Sequence, residues 1–337
     1  MKVLVCGSTG CVGAAVVHAL RARGHKVIEG ARRPPAVRDA MAVDFAQPVA
    51  PDMWAERLRR AQVEAVVNCV GILMPSRGQR FERVHTQGPI ELFRGAALAG
   101  VPRVVQVSAL GVGDSAECLA SGYLHSKLLA DDALASLPLD WAVLRPSLVY
   151  GPKSRSGALF ATLAGLPLVS LPGRGAQRLQ PLHVYELAEA ISRLVEQRGP
   201  LRAVHELGGP QVLSYREMLS HYRAALGLGP ARWLPLPMVL MKAGAWLAQG
   251  LPQKVFSLDT VRLLERGSVP APNALPGLLG RAPTAMPQGL RISAPEPLLD
   301  LRAVLRQAAA PLILASCTLN VALALLLWLA ARAGGTP

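Results

Sequence analysis

The sequence predicts an α/β fold made of a doubly wound parallel sheet, a small C-terminal α/β lobe and a C-terminal transmembrane helix. Three observations predict it. Short aliphatic runs alternate with helical patterns over residues 1–150, which is typical of a parallel sheet covered by helices. A glycine-rich turn follows the first run, at residues 7–13. An uncharged apolar run occupies residues 312–331, near the end of the 337-residue chain.

Hydrophobic patterning places the elements of the first 150 residues. Central strands of a parallel sheet are buried on both faces and form nearly continuous apolar runs. Such runs predict strands at residues 2–6, 26–30, 41–44, 65–69, 103–108 and 141–145. Apolar residues at helical spacing predict helices at residues 12–23, 52–60, 81–99 and 121–137. Residues 1–150 are therefore expected to form one domain.

The pattern is looser in the second half of the chain. Helices are predicted at residues 184–197, 215–226 and 257–265, with proline- and glycine-rich turns between them. Residues 151–268 are therefore expected to complete the same fold as a smaller lobe. The proline-dense segment that follows predicts a linker over residues 269–308. The final element is a helix at residues 309–332.

The C-terminal apolar run is long enough to cross a membrane, because a bilayer core needs about 20 apolar helical residues. Ser316, Thr318 and Asn320 are polar but uncharged, and a membrane helix tolerates such residues better than a charge. A helix packed on the domain is the alternative, but no polar face repeats at helical spacing. Two arginines precede the run and one follows it, which favours a domain on the cytoplasmic face of the membrane.

The chain is strongly basic, with 36 Lys and Arg against 22 Asp and Glu and a formal net charge of +14. Such an excess suits nucleic acid, anionic lipid or a phosphorylated cofactor, or reflects an arginine-rich solvated surface. The sequence contains no helix-turn-helix, zinc-finger or aromatic RNA-binding pattern, so no nucleic-acid partner is expected. The five cysteines lack metal-ligand spacing, so no metal site is expected either.

The turn after the first strand has the composition of a dinucleotide-binding site. It consists of Gly7, Ser8, Thr9, Gly10, Cys11, Val12 and Gly13. Glycines let the backbone approach a pyrophosphate, and the last one lets helix and strand pack closely. The N–H groups and the dipole of the helix that follows favour an anion. The sheet is therefore predicted to be of the Rossmann type.

The end of the second strand indicates which dinucleotide binds. An acid at this point selects NAD by binding the ribose 2′-hydroxyl, but Arg32 and Arg33 stand there. Two guanidinium groups suit a 2′-phosphate through charge-assisted hydrogen bonds. Glu29 argues for NAD(H), although strand alternation can point its side chain elsewhere. NADP(H) is therefore predicted in preference to NAD(H).

Further segments complete a resemblance to a known superfamily. Asp44 follows the third strand. The remaining segments are Asn68-Cys69-Val70-Gly71, Val107-Ser108-Ala109-Leu110-Gly111 and Leu144-Arg145-Pro146-Ser147-Leu148-Val149-Tyr150-Gly151-Pro152. Together with the glycine turn they resemble the atypical and extended short-chain dehydrogenase/reductases, over about residues 1–265. The branch resembled includes the nucleotide-binding accessory subunit of respiratory complex I and bacterial relatives with a membrane-embedded extension.

The resemblance implies roles for several residues. Asp44 would lie near the adenine, Val70 and Gly71 would lie along the cofactor, and the lobe at residues 151–268 would hold the substrate. In the superfamily a Ser, a Tyr and a Lys four residues after the Tyr carry the reaction, and these match Ser108, Tyr123 and Lys127. Residues i and i+4 share one face of a helix. Lys127 would also hold the nicotinamide ribose, and Ser108 would hydrogen-bond the carbonyl oxygen of the substrate.

Three functions remain open on the sequence alone. The first is a membrane-anchored, NADP(H)-dependent oxidoreductase that acts on a carbonyl or hydroxyl of a lipidic or quinone-like small molecule. The second is a non-catalytic nucleotide-binding scaffold or sensor attached to a membrane protein complex. The third is a nucleotide-sugar epimerase or dehydratase, for which Arg174 would bind a diphosphate.

Overall fold

The computed structural model describes residues 1–76, 78–113, 115–166, 168–247 and 258–293. Its strands are β1 (Lys2–Cys6), β2 (Lys26–Ala31), β3 (Ala40–Ala42), β4 (Ala65–Asn68), β5 (Arg103–Val107), β6 (Asp140–Pro146), β7 (Val149–Tyr150), β8 (Leu168–Pro172), β9 (Arg178–Leu179), β10 (Leu182–His183), β11 (Ala203–Leu207), β12 (Leu213–Ser214) and β13 (Arg232–Leu236).

The helices cover both faces of the sheet and build the lobe. They are α1 (Cys11–Ala22), α2 (Pro51–Arg60), α3 (Gly88–Ala99), α4 (Ala116–Ala120), α5 (Gly122–Ala135), α6 (Arg155–Gly165), α7 (Val184–Glu196), α8 (Tyr215–Ala225), α9 (Met238–Leu247), α10 (Leu258–Arg266), α11 (Leu275–Leu279) and α12 (Met286–Ile292). One π-helical turn, Glu82–Gln87, precedes α3 directly.

The main sheet confirms the predicted doubly wound parallel architecture. Its seven strands lie in the order β11-β6-β5-β4-β1-β2-β3, and each pairing within it is parallel. The strand order reverses between β1 and β4. Ligands of open α/β sheets bind outside the carboxyl ends of the strands at such a reversal. The glycine turn follows β1 and therefore lies at this point.

Successive side chains of each strand point to opposite faces of the sheet, and both faces are buried. Val3 and Val5 of β1 pack in a core that α1, α7 and α11 cover. Leu4 and Cys6 of the same strand pack in the opposite core, beneath α2, α3 and α5. The helices are therefore anchored by aliphatic contacts on either side, and the carboxyl ends of the strands remain available for a site.

The predicted helix at residues 81–99 is divided in two. Its first part is the π-helical turn Glu82–Gln87, and its second part is α3, which begins at Gly88 with a proline in its first turn. Pro89 has no N–H to donate to the carbonyl of His85, so the α-helical hydrogen-bond pattern cannot continue through this point. In this wider turn the side chain of His85 contacts Ser126 of α5.

The lobe has its own core of aromatic and aliphatic side chains from α6, α8, β8 and α12. Residues 269–293 were expected to be part of a linker, but in the structure they form an arm that contains α11 and α12. Arg281 of this arm donates to Glu186 and Glu189 of α7, at 2.9 Å and 2.7 Å. Prolines here begin the two short helices, where the missing N–H costs nothing.

The predicted membrane helix at residues 309–332 lies outside the described residues, as does the rest of the expected linker from residue 294. Within the described ranges, no helix combines the length and the apolar character that crossing a bilayer requires.

Candidate active site

The turn between β1 and α1 has room for backbone and none for side chains. Gly7 has a φ of +79°, a conformation that favours glycine, and a Cβ on Gly13 would lie 2.1 Å from the carbonyl oxygen of Gly7. The N–H groups of Gly7 and Ser8 donate to the carbonyl of Gly30, at 2.8 Å and 3.0 Å. These contacts fix the turn against the end of β2.

The same turn is open for an anion. No side chain caps the N-terminus of α1, and the first N–H groups of a helix have no acceptor within it. Among the described residues, the buried hydroxyl of Ser8 has no hydrogen-bond partner. Thr9 and Gly10 are exposed. A cradle of free donors at a helix N-terminus fits the pyrophosphate of a dinucleotide.

The end of β2 is basic and exposed. Arg32 and Arg33 follow the strand directly and face solvent. Glu29 does not face the same way, because its carboxylate forms an ion pair with Arg21 of α1, at 2.8 Å. Asp44 lies after β3, where its Oδ1 accepts from the N–H of Ala46 at 3.0 Å.

The segment after β4 runs beside the glycine turn. A Cβ on Gly7 would lie 3.1 Å from the carbonyl carbon of Cys69, so the two backbones nearly touch. The N–H of Val70 donates to the Oδ1 of Asn68, at 3.1 Å. Gly71, next along the chain, is exposed. The segment with Val70 and Gly71 thus lies next to the glycine turn.

Tyr123 and Lys127 lie one turn apart on α5. A Cβ on Gly71 would lie 3.6 Å from the Nζ of Lys127, which places this nitrogen beside the segment after β4. Lys127 is buried, and its Nζ donates to the carbonyl of Val107 at 3.1 Å. Burial lowers the pKa of Lys127 to about 8, against the opposing influence of Asp131 and Cys69. Burial raises the pKa of Tyr123 to about 12.

Comparison with known proteins places this geometry in a family. The model of the NAD dependent epimerase/dehydratase family matches residues 3–205, more than half of the chain. The chain belongs to this family. The match confirms the resemblance to the short-chain dehydrogenase/reductases and supports a nicotinamide dinucleotide as the cofactor class.

Individual relatives of this epimerase/dehydratase family member are distant. A 3-diazoavenalumate denitrifying reductase of Streptomyces sp is 29% identical over 74% of this chain and 90% of its own length. NADH dehydrogenase [ubiquinone] 1 alpha subcomplex subunit 9 of Mus musculus is 26% identical over 84% of this chain and 76% of its own, which confirms the resemblance to the complex I branch. The NAD complex of UDP-glucose 4-epimerase from Thermus thermophilus superposes with a TM-score of 0.64 and 22% identity, over 87% of this chain and 97% of that one, and shows the shared fold.

Sequence reasoning missed one residue of the site, His85. It is buried in this family member, and its Nε2 accepts from the N–H of Ile72 at 2.9 Å. Its Nδ1 lies 3.0 Å from the hydroxyl of Ser126, which itself donates to the carbonyl of Tyr123. Burial, and then the charge of Lys127, hold the pKa of His85 well below its ordinary value. The neutral ring therefore donates from Nδ1 to the hydroxyl of Ser126, and His85 joins the segment after β4 to α5.

Aromatic contacts add to this arrangement. The His85 ring stacks on Phe81, with centroids 5.2 Å apart, and meets the ring of Tyr123 edge to face at 5.5 Å. Tyr123 also meets Phe81 edge to face at 5.9 Å. Such pairs orient the rings beyond simple burial. The phenol of Tyr123 is therefore held by a small aromatic cluster.

Ser108 is buried at the end of β5, but its hydroxyl does not face an open site. It donates to the Oδ2 of Asp131 on α5, at 2.7 Å. The Nη2 of Arg145 on β6 lies 3.4 Å from the same oxygen. Ser108 thus belongs to a buried polar network one helical turn beyond Lys127.

The lobe covers the site from the side of α10. Leu263 of α10 packs with Tyr123 against an apolar cluster that includes Val112 and Leu124. The Nη1 of Arg266 donates to the carbonyl of Gly111, at 3.1 Å. This contact ties the loop after β5 to the lobe.

The cysteines of the described ranges form no disulfide with one another. Cys6, Cys11, Cys69 and Cys118 are free thiols. Burial raises the pKa of Cys11 to about 11 and that of Cys69 to about 12, so both stay protonated near neutral pH. No cluster of potential metal ligands occurs in the part of the chain that the structure describes.

Proposed function

We propose that this chain is an NADP(H)-dependent oxidoreductase that transfers a hydride to or from a carbonyl or hydroxyl group. The observation that carries the proposal is the position of Tyr123 and Lys127 on one face of α5, with the Lys127 ammonium beside Gly71. Gly71 follows β4, and β4 is the neighbour of β1 at the reversal of strand order. The proposed acid–base pair and the glycine turn therefore lie at one edge of the sheet.

The chain's own groups would hold the cofactor as follows. The N–H groups at the start of α1 and the turn from Gly7 to Gly13 would bind the pyrophosphate. Arg32 and Arg33 would bind the 2′-phosphate, since both are exposed and unpaired among the described residues. Asp44 would lie near the adenine, and Lys127 would bind the nicotinamide ribose.

The dinucleotide supplies or accepts the hydride. In the direction of reduction, the hydroxyl of Tyr123 would donate a proton to the substrate oxygen and become a phenolate; in oxidation the phenolate would take the proton from the substrate hydroxyl. The ammonium of Lys127 stabilises the phenolate that forms, because a nearby cation favours the charged form of the phenol. Ser108 would hydrogen-bond the substrate oxygen, for which its hydroxyl must turn away from Asp131.

The surroundings of Tyr123 suit an apolar substrate of the lipidic or quinone-like class. The groups that pack with it are aromatic or aliphatic, namely Phe81, His85, Val112, Leu124 and Leu263. The guanidinium of Arg266 is already bound to Gly111. Small-molecule sites are lined mainly by such groups, with few polar ones to orient the ligand.

Membrane attachment through residues 309–332 belongs to the same proposal, with the domain on the cytoplasmic face. Its support is the uncharged run at residues 312–331, which meets the length of a bilayer core. Alkaline carbonate extraction of membranes that contain the full chain tests it. Retention in the membrane pellet is expected, and release by carbonate alone would contradict the anchor.

A titration followed by an assay tests the enzymatic part. The full chain in detergent is titrated with NADPH and NADH by fluorescence, and a panel of quinones and lipid-derived aldehydes is then assayed with the tighter cofactor. Saturable NADPH binding and oxidation dependent on substrate are expected. Binding of a UDP-sugar, with its interconversion on bound NAD, would instead establish the epimerase reaction.

A non-catalytic scaffold of a membrane complex is the second candidate. The 26% identity with a mouse subunit named as part of NADH dehydrogenase favours it. It predicts tight dinucleotide binding without hydride transfer and a stable partner protein on purification. A monomer with steady turnover would exclude it.

A further inference from the structure

Asp131 is a buried carboxylate next to the proposed acid–base pair. It lies one helical turn after Lys127 on α5 and is 3% exposed. Ser108 donates to its Oδ2 at 2.7 Å, and Arg145 reaches the same oxygen at 3.4 Å. Its Oδ1 is buried without a hydrogen-bond partner among the described residues. A carboxylate in such a position requires compensating cations.

The other titratable groups around Lys127 are neutral near pH 7 in the described part of the chain. Directly after β4, burial raises the pKa of the Cys69 thiol to about 12. On the π-helical turn, the pKa of His85 lies well below its ordinary value. On α5 itself, burial raises the pKa of Tyr123 to about 12. Asp131 is therefore the one described neighbour that offers Lys127 a negative charge.

We infer that Asp131 is a positioning residue that keeps Lys127 an ammonium, and that Arg145, together with Ser108 until its hydroxyl turns to the substrate, holds the Asp131 carboxylate ionised and in place for this purpose. The inference rests on the proposed function for its importance to catalysis. In this inference the charge of Asp131 acts on Lys127, its neighbour on α5, and Asp131 itself touches neither substrate nor cofactor.

Burial and charge act on Lys127 in opposite directions. Burial disfavours an ammonium and lowers the pKa of a lysine. An opposite charge within about 4–6 Å favours the ammonium and typically raises that pKa by one to three. Residues i and i+4 of a helix are neighbours on one face, with Cβ atoms about 5–6 Å apart, and the charge of Asp131 raises the pKa of Lys127 against the effect of burial. The amide of an Asp131→Asn variant keeps the volume and loses the charge, so Lys127 should release its proton at lower pH.

NMR titration of lysine measures this directly. The chain has six lysines, so ¹³Cε,¹⁵Nζ-lysine labelling of the full chain gives few signals. They are Lys2, Lys26, Lys127, Lys153, Lys242 and Lys254. The signal of Lys127 is assigned by its disappearance in the Lys127→Arg variant. The Lys127 midpoint is expected near pH 8 in the parent. In Asp131→Asn it should fall by about one unit. Asp132→Asn is the matched control, because Asp132 is exposed on the same helix, and it should leave the midpoint unchanged.

Ser108→Ala provides a second variant if Asp131→Asn does not fold. It removes a hydrogen bond that lowers the pKa of Asp131, whose value burial raises, and should move the Lys127 midpoint in the same direction by a smaller amount. Unchanged midpoints in the folded variants would overturn the inference. The titration needs neither cofactor nor turnover. A shifted midpoint in a chain that binds no NADPH would therefore overturn the proposed function and leave the inference standing.

Discussion

The guanidinium of Arg21 lies 2.8 Å from the carboxylate of Glu29, and this ion pair joins α1 to β2. Glu29 is the only acid within the strand that leads to Arg32 and Arg33. Because its carboxylate is held against α1, the groups left at the end of the strand are the two guanidiniums. The choice between the two dinucleotides is expected to follow from this arrangement.

Removal of the two arginines should weaken NADPH binding selectively. Each charge-assisted hydrogen bond contributes about 1.5–3 kcal/mol, so the loss of even one such bond in the Arg32→Ala, Arg33→Ala double variant should raise the Kd for NADPH at least about tenfold. The Kd for NADH should change by less than about threefold, since NADH lacks the 2′-phosphate. Fluorescence titration with both cofactors measures the two effects.

Arg94→Ala is the control for this pair, because Arg94 is exposed on α3 and carries the same charge. It should leave both affinities unchanged. Equal losses of NADPH and NADH affinity in the double variant would argue against a 2′-phosphate site at these arginines.

Substitution of Tyr123 separates binding from chemistry. Tyr123→Phe keeps the ring in its aromatic contacts and removes the hydroxyl, and general acid–base groups typically contribute about 10²–10⁴-fold to rate. We expect at least about a hundredfold loss of kcat with cofactor affinity retained. Tyr185→Phe, an exposed phenol on α7, is the control. Reduction by Tyr123→Phe at the parent rate would remove the acid from the mechanism.

The pH dependence of activity should reflect Lys127. The pKa of this lysine is about 8 in the folded chain, so its ammonium is present below that pH and lost above it. Reduction should therefore slow as pH rises through about 8, while the phenol of Tyr123, with its pKa near 12, remains protonated. An initial-rate profile from pH 6 to 10 at saturating cofactor would show this. Activity that continued to rise beyond pH 9 would contradict the role given to Lys127.

The sequence predicted the parts of the fold that depend on local pattern. Buried strands are apolar runs, and the glycine turn requires small residues at fixed positions, so β1, α1 and the doubly wound parallel sheet around them could be predicted. Strand β11 was missed because it lies at the edge of the sheet. Its sequence Ala203–Leu207 includes His205 and Glu206, and it has no continuous apolar run.

Other features depended on contacts that no local pattern contains. The role of His85 arises from its hydrogen bonds to two separate parts of the chain, Ile72 in the segment after β4 and Ser126 on α5. The one available signal was Pro89, four residues after His85 in a predicted helix, since proline disturbs the helix there. The partner of Ser108 lies on α5, 23 residues away. No sequence motif indicates that the hydroxyl of Ser108 points toward Asp131.

An ion pair at the opposite end of the sheet should show in stability. A hydrogen bond from Arg23, with a further one from His25, holds the pKa of Glu196 at about 2, below the ordinary 4.5. A depressed carboxyl pKa contributes stability above the unfolded value, and that contribution is lost as pH falls from about 4.5 to 2. Because these side chains are partly exposed, Glu196→Gln should cost less than about 1 kcal/mol at pH 7.

Urea unfolding at pH 7 and pH 3 measures this difference. Glu56→Gln is the control, since Glu56 is an exposed carboxylate on α2. The Glu196→Gln penalty should shrink at the lower pH and be absent from Glu56→Gln. A penalty that is equal at both pH values would place the cost in packing and not in charge.

Titration of the parent chain and its Gly13→Ala variant with NADPH tests the central claim most directly. A Cβ at this glycine would lie 2.1 Å from the carbonyl oxygen of Gly7, so the turn must change shape to accept it. We expect saturable binding in the parent and an affinity about tenfold lower or worse in the variant. Gly229→Ala, where a Cβ meets nothing within 4 Å, should bind as the parent does. A parent that fails to bind either NADPH or NADH, or a folded Gly13→Ala variant that binds as tightly as the parent, would contradict a dinucleotide site at this turn.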